Sequence, residues 1–241
     1  MVSLTKRVLF EVIPNPPDET TLTLSSTTNK GHYISVRPFV NAEGKEFPFE
    51  WAFGGTSDNV ELKKINERAN SLNFNFKFDT NVKLNVPETH RGVIKTVFKT
   101  WDSGLVEETG SVFPWGTEGT EVKFRELWQP VDPTRLEFVE LNNEKDVDQT
   151  ATSIALSVDN AEYEGLVIVV GRWIQGILFK KGVNTLDGIN LFRSQINEKN
   201  SIVSLVKFGV DADKFPQEVL LNEGSTTTSN GLEWSAIESN L

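Results

Sequence analysis

The chain contains no cysteine, which excludes a disulfide framework and any Cys-based zinc or iron–sulfur site. Methionine occurs once, at Met1, and histidine twice, at His32 and His90. So few soft or imidazole ligands cannot furnish a His-rich metal site, and no metal or cofactor is expected. Long hydrophobic runs are missing too. The longest apolar stretch, Gly165 to Phe179, is interrupted by Arg172 and Gln175. It is too short and too polar to cross a bilayer, so an integral membrane protein is not expected. The N-terminal apolar run is broken by Glu11 and has no small-residue cleavage site, unlike a secretory signal. With no Asn-x-Ser/Thr sequon either, a cytoplasmic location is expected, with a nuclear one also open.

Catalytic motifs are equally scarce. There is no Gly-x-Ser-x-Gly elbow, and Gly54-Gly55 lacks the Lys-Ser/Thr of a phosphate loop. His32 and His90 have no companion motif and are read as structural or surface residues. Asp146-Val147-Asp148 and Asp211-Ala212-Asp213 lack the glycine and closing glutamate of a calcium loop. Acids are plentiful, but nothing singles out the positioned pair that a glycosidase needs. The chain is read as a non-enzyme.

What is present is a globular composition: 241 residues, 38% hydrophobic and 24% charged. That length suits one large sheet-built domain or two smaller ones. Its 24 basic and 34 acidic residues are unevenly placed: residues 1–97 hold 12 basic and 11 acidic, leaving 12 and 23 for 98–241. This step predicts two modules, 1–97 and 98–241. The acidic second module would repel phosphate backbones, so nucleic acid is not an expected partner.

Strand periodicity dominates the pattern. From Leu72 the even positions read Leu72, Phe74, Phe76, Phe78, Thr80, Val82, Leu84 and Val86. Period two held this long predicts two half-buried antiparallel strands with a bend near Thr80. Leu22/Leu24, Ile34/Val36, Val122/Phe124/Trp128 and Ile154/Leu156/Val158 alternate in the same way. Helical spacing is confined to Val60–Asn70 and Asp187–Glu198. Turn signals such as Asn15-Pro16-Pro17-Asp18, Asn29-Lys30-Gly31 and Asn222-Glu223-Gly224 separate the runs. Leu166–Val170 is apolar on both faces, as expected of a strand lining one barrel and covered by another. These features predict an all-β protein of two packed antiparallel β-barrel domains.

Six tryptophans, at 51, 101, 115, 128, 173 and 234, either fill barrel interiors or line a cavity for a small apolar ligand. Trp128 and Trp173 are the candidate cavity residues, with Arg172 as a polar anchor. Arg172 could equally pair with a nearby acid and stack on an indole.

Two resemblances bear on this reading. Lys99–Gly104, Glu108–Pro114 and Phe124–Trp128 are similar to the opening of lipocalin-like barrels of the nitrobindin kind. That likeness implies haem held by a late histidine, yet none follows His90, so haem is not expected. A likeness over essentially the whole chain rests on Gly31–Phe39, Phe47–Phe53, Leu84–Gly92, Phe124–Pro133 and Gly165–Gly176. These blocks resemble a small fungal family named for its interaction with a casein kinase I and linked to an accessory subunit of the endoplasmic-reticulum translocon. The resemblance implies two lipocalin-like barrels, those protein partners, and no established enzymatic activity.

A protein-interaction module is therefore the first expectation, and a carrier of a small apolar ligand inside a barrel the second. A hydrolase using a carboxylate pair ranks third. A casein kinase I partner directs attention to hydroxyls preceded by acids, as in Glu223-Gly224-Ser225-Thr226 and Asp18-Glu19-Thr20-Thr21. These mark Thr226 and Thr21 as candidate phosphorylation sites.

Overall fold

A computed structural model describes residues 2–116 and 118–241. Ten strands make the first sheet: β1 (Ser3–Val12), β2 (Leu24–Thr27), β3 (Tyr33–Pro38), β4 (Phe49–Gly55), β5 (Val60–Asn66), β6 (Ala69–Phe74), β7 (Phe78–Asp79), β8 (Ile94–Thr100), β9 (Val106–Val112) and β10 (Val122–Pro130). Their spatial order is β5-β6-β8-β9-β10-β1-β2-β3-β4-β7. Seven more make the second: β11 (Ser153–Asp159), β12 (Tyr163–Val170), β13 (Trp173–Lys180), β14 (Ile189–Ile196), β15 (Ile202–Phe208), β16 (Thr226–Ser229) and β17 (Leu232–Ser239), in the order β15-β14-β13-β12-β11-β17-β16. The protein is all-β, as the alternation predicts, and both antiparallel sheets are curled into barrel-like halves.

The sheets divide between Pro130 and Ser153, not at residue 97. The expected boundary cuts through β8, and β9 and β10, expected in the second module, lie in the middle of the first sheet, where β8 pairs with β6 and β10 with β1. Net charge does not choose strand partners; inward apolar faces and backbone pairing do.

Two expectations of local structure are also corrected. Val60–Asn70 and Asp187–Glu198 form no α-helix: they contain the hairpin strand β5 and the interior strand β14, the latter preceded by a short 3-10 turn at Leu186–Gly188. β14 has Ile189 and Leu191 on one face and Phe192 and Ile196 on the other, each in a separate core, so burial on both sides overrides local preference. The alternating run from Leu72 does not continue as a second strand after Thr80. The Asp79 side chain accepts the Asn81 and Val82 amides and caps a single helical turn, α1 (Thr80–Lys83).

β12 behaves as its sequence predicts. Val167 and Val169 enter the core of the second sheet with Phe192, Phe215 and Trp234. Leu166 and Ile168 face the other way, against Ile34, Val36, Phe49 and Ala52 of the first sheet. Polar groups pin this contact: Gln175 Nε2 donates to Ser26 Oγ at 2.7 Å, and Arg193 donates to the carbonyls of Leu22 and Val36 at 2.8 and 2.6 Å. The hollow of the second sheet is filled by the chain's own return, through Ala212, Phe215, Val219 and Leu221. Among the described residues, no helix is long and apolar enough to cross a membrane.

Candidate functional site

The first sheet encloses a cavity of about 640 Å³. Strand alternation builds its wall. β6 contributes Leu72 and Phe74, β8 Ile94 and Phe98, β9 Val106 and Val112, and β10 Val122, Phe124 and Trp128. On β1 a register shift between Arg7 and Leu9 changes which residues face inward. Ser3 and Thr5 line the cavity before it, and Phe10 and Val12 after it. The size lies within the roughly 300–1,000 Å³ typical of small-molecule sites.

Set into this apolar wall is a charged cluster. Arg7, fully buried, donates to Glu126 at 2.7 Å, Glu19 at 2.6 Å and Glu50 at 2.9 Å. Burial alone would depress its pKa; the carboxylates, Glu126 foremost, more than offset that and raise it. Arg37, which lines the cavity, donates from Nη1 to Glu126 at 2.9 Å and lies over the rings of Trp51, Phe53 and Trp128. Glu108 and Glu126 line the cavity from directly opposed positions on the paired strands β9 and β10. Burial, and secondly the Glu126 carboxylate, hold Glu108 well above the usual carboxylate range, which favours its protonated form. Glu108 also accepts the Trp128 indole N–H at 2.9 Å.

Of the three expected cavity residues, only Trp128 is in this wall. Trp173 belongs to a separate core with Leu4, Leu24 and Val170, and its indole N–H donates to the Arg135 carbonyl at 2.9 Å. Arg172 lies outside the cavity lining and, among the described residues, has no acid partner: it donates to the carbonyls of Thr134, Ile196 and Asn197 and ties together chain segments beside β12 and β13. Trp51 also lines the cavity, whereas Trp234 is buried in the second sheet's core. His90 accepts the Phe113 amide at Nδ1, and His32 lies near Glu238 between the sheets. Thr21 is buried, with its hydroxyl bonded to Glu19 and Arg7, so a kinase cannot reach it in the folded chain; Thr226 is exposed on β16.

Arg37, Glu108 and Glu126 belong to no motif in the sequence, yet all three line the cavity. Their signal is a charge at an inward position of an alternating strand: Glu126 falls between Phe124 and Trp128, in step with both.

Fold and cavity together define a class: an all-β protein of two packed, curled antiparallel sheets, the first of them hollow. The chain belongs to the Protein HRI1 family, whose model matches residues 3–238. It is 96% identical over its full length to Protein HRI1 of Kluyveromyces lactis, covering all of both chains. It is 51% identical to the Lachancea thermotolerans relative, covering 100% of this chain and 94% of that one. The crystal structure of protein YLR301w from Saccharomyces cerevisiae superposes with a TM-score of 0.95 at 48% identity, covering the whole of both chains.

Proposed function

We propose that this protein is a carrier or sensor of a small, largely apolar molecule held inside the first barrel. The single observation that supports it is the cavity itself: an aromatic wall around a small set of buried polar groups, the composition of a ligand site. A binding role is favoured over hydrolysis because Glu108 and Glu126 stand directly opposite each other on paired strands, with Glu126 already held by Arg7 and Arg37. A glycosidase holds its carboxyls about 5–9.5 Å apart with substrate or water between them. The test is uptake of the neutral fluorescent probe N-phenyl-1-naphthylamine. Its emission rises with the native chain and not with Val106→Trp, which puts an indole where a buried cavity-wall valine stands. An unchanged response in that variant overturns the reading.

A second reading, protein interaction, is favoured by a different observation. β15 is a sheet edge, and its Val203 and Leu205 are 44% and 47% exposed. A free edge with apolar side chains suits strand addition by a partner. A casein kinase I and a translocon accessory subunit are the partners the family resemblance suggests, in the cytosol or nucleus. Co-purification that survives charged substitutions along β15 would count against this surface.

A further inference from the structure

Two cavity-lining side chains keep a buried donor without a partner, the Tyr33 hydroxyl and the Arg37 guanidinium, and of these only Arg37 is charged. A guanidinium carries five N–H donors in one plane. Arg37 is only 5% exposed, yet its protein acceptors are all at Nη1: Glu126 at 2.9 Å and Glu50 at 3.5 Å. Its Nε has no hydrogen-bond partner. Arg7, by contrast, donates from Nε, Nη1 and Nη2 and so holds the same carboxylates from the far side. The remaining surroundings of Arg37 are the rings of Trp51, Phe53 and Trp128. Ring faces attract the cation but do not accept its in-plane N–H bonds.

Three kinds of cargo meet this arrangement differently. A hydrocarbon would shut the spare donors away from water with no acceptor, leaving buried polar groups unsatisfied. A carboxylate would bring a further negative charge to a cluster where, among the described residues, the three carboxylates of Glu19, Glu50 and Glu126 face the two cations Arg7 and Arg37. An uncharged oxygen acceptor offered to Nη2, for which no acceptor is found among the described residues, meets a spare donor and adds no charge; Nε itself is closed off from solvent. Resting on the carrier reading, we propose that Arg37 is the polar contact for the cargo, which presents a neutral carbonyl-type oxygen on an apolar, ring-bearing body. The aromatic wall, with Phe10, Phe74, Phe98 and Phe124 on facing strands, takes the rings.

The test uses three compounds of one shape: 2-acetylnaphthalene, 2-ethylnaphthalene and 2-naphthoate. Each displaces N-phenyl-1-naphthylamine from the full-length protein. The ketone binds at least about tenfold more tightly than either of the others. In Arg37→Met its advantage over the ethyl compound disappears; the ranking in the native chain stands as the test should that variant fail to fold. Equal affinities for ketone and ethyl compound overturn the role of Arg37. Tighter binding of the naphthoate overturns the neutral-acceptor assignment in favour of an anion site. Failure of all three, and of the probe, overturns the carrier reading itself.

Discussion

Arg193 on β14 donates through Nη2 to the main-chain carbonyl of Val36 on β3 at 2.6 Å, joining the two sheets across a buried apolar contact. No salt bridge to Arg193 is found among the described residues, and burial pulls its guanidinium down to about 9. Carbonyl and amide acceptors carry the compensation instead. Gln175 is central to it: its Oε1 accepts from Arg193 at 3.2 and 3.3 Å while its Nε2 reaches Ser26 and the carbonyls of Leu24 and Ile34.

Gln175→Ala therefore strips an acceptor from a buried cation and a donor from the first sheet at once. Unsatisfied buried groups of this kind cost about 1–3 kcal/mol each, so a loss of about 3 kcal/mol is expected in urea unfolding. A loss below about 1 kcal/mol would show that the polar contacts do not secure the packing of the two sheets.

Glu108 supplies a pH dependence with a definite sign. Its pKa is raised in the folded chain, so between the unfolded value near 4.5 and the higher folded one the native state binds the extra proton. Stability from this group is complete below the unfolded value and is lost as pH rises through the folded one. Glu108→Gln keeps an amide oxygen for the Trp128 indole and cannot ionise. The difference in unfolding free energy, variant minus native, grows with pH above about 4.5. A flat difference between pH 4 and 9 would mean that Glu108 is not held protonated.

How much of this was legible in the chain depends on which force acts locally. Period-two alternation reports one buried face, and the all-β class follows from it. The double apolarity of Leu166–Val170 foretold a strand covered on both sides, and β12 has one face in each core. Charge does not mark the boundary between the sheets, because β10 is held by pairing with β1, distant in sequence, as in Arg7 opposite Trp128. Arg172 and Trp173 were conspicuous as a polar–aromatic pair, yet main-chain carbonyls claim both. Glu126 lies inside the Phe124–Trp128 block with nothing local to set it apart. Its partners Arg7 and Arg37 lie 119 and 89 residues away, a relation that local spacing does not encode.

The two candidate phosphorylation sites should behave differently. Thr226 stands exposed on β16, whereas the Thr21 hydroxyl is enclosed among Glu19, Thr23 and Arg7. Incubation of the folded protein with a casein kinase I, followed by peptide mass spectrometry, is expected to place phosphate at Thr226 and none at Thr21. Stoichiometric phosphate on Thr21 without loss of fold would mean that this cluster opens readily in solution.

The account turns on whether the first barrel holds a molecule in the cell. Native mass spectrometry of the protein, purified gently from its own host, answers that most directly. We expect a complex heavier than the bare chain that releases one small, uncharged, oxygen-bearing apolar compound on denaturation. Bare protein throughout, from material that also fails to take up N-phenyl-1-naphthylamine, would contradict the claim that the cavity bounded by Arg37, Glu108 and Trp128 is a binding site.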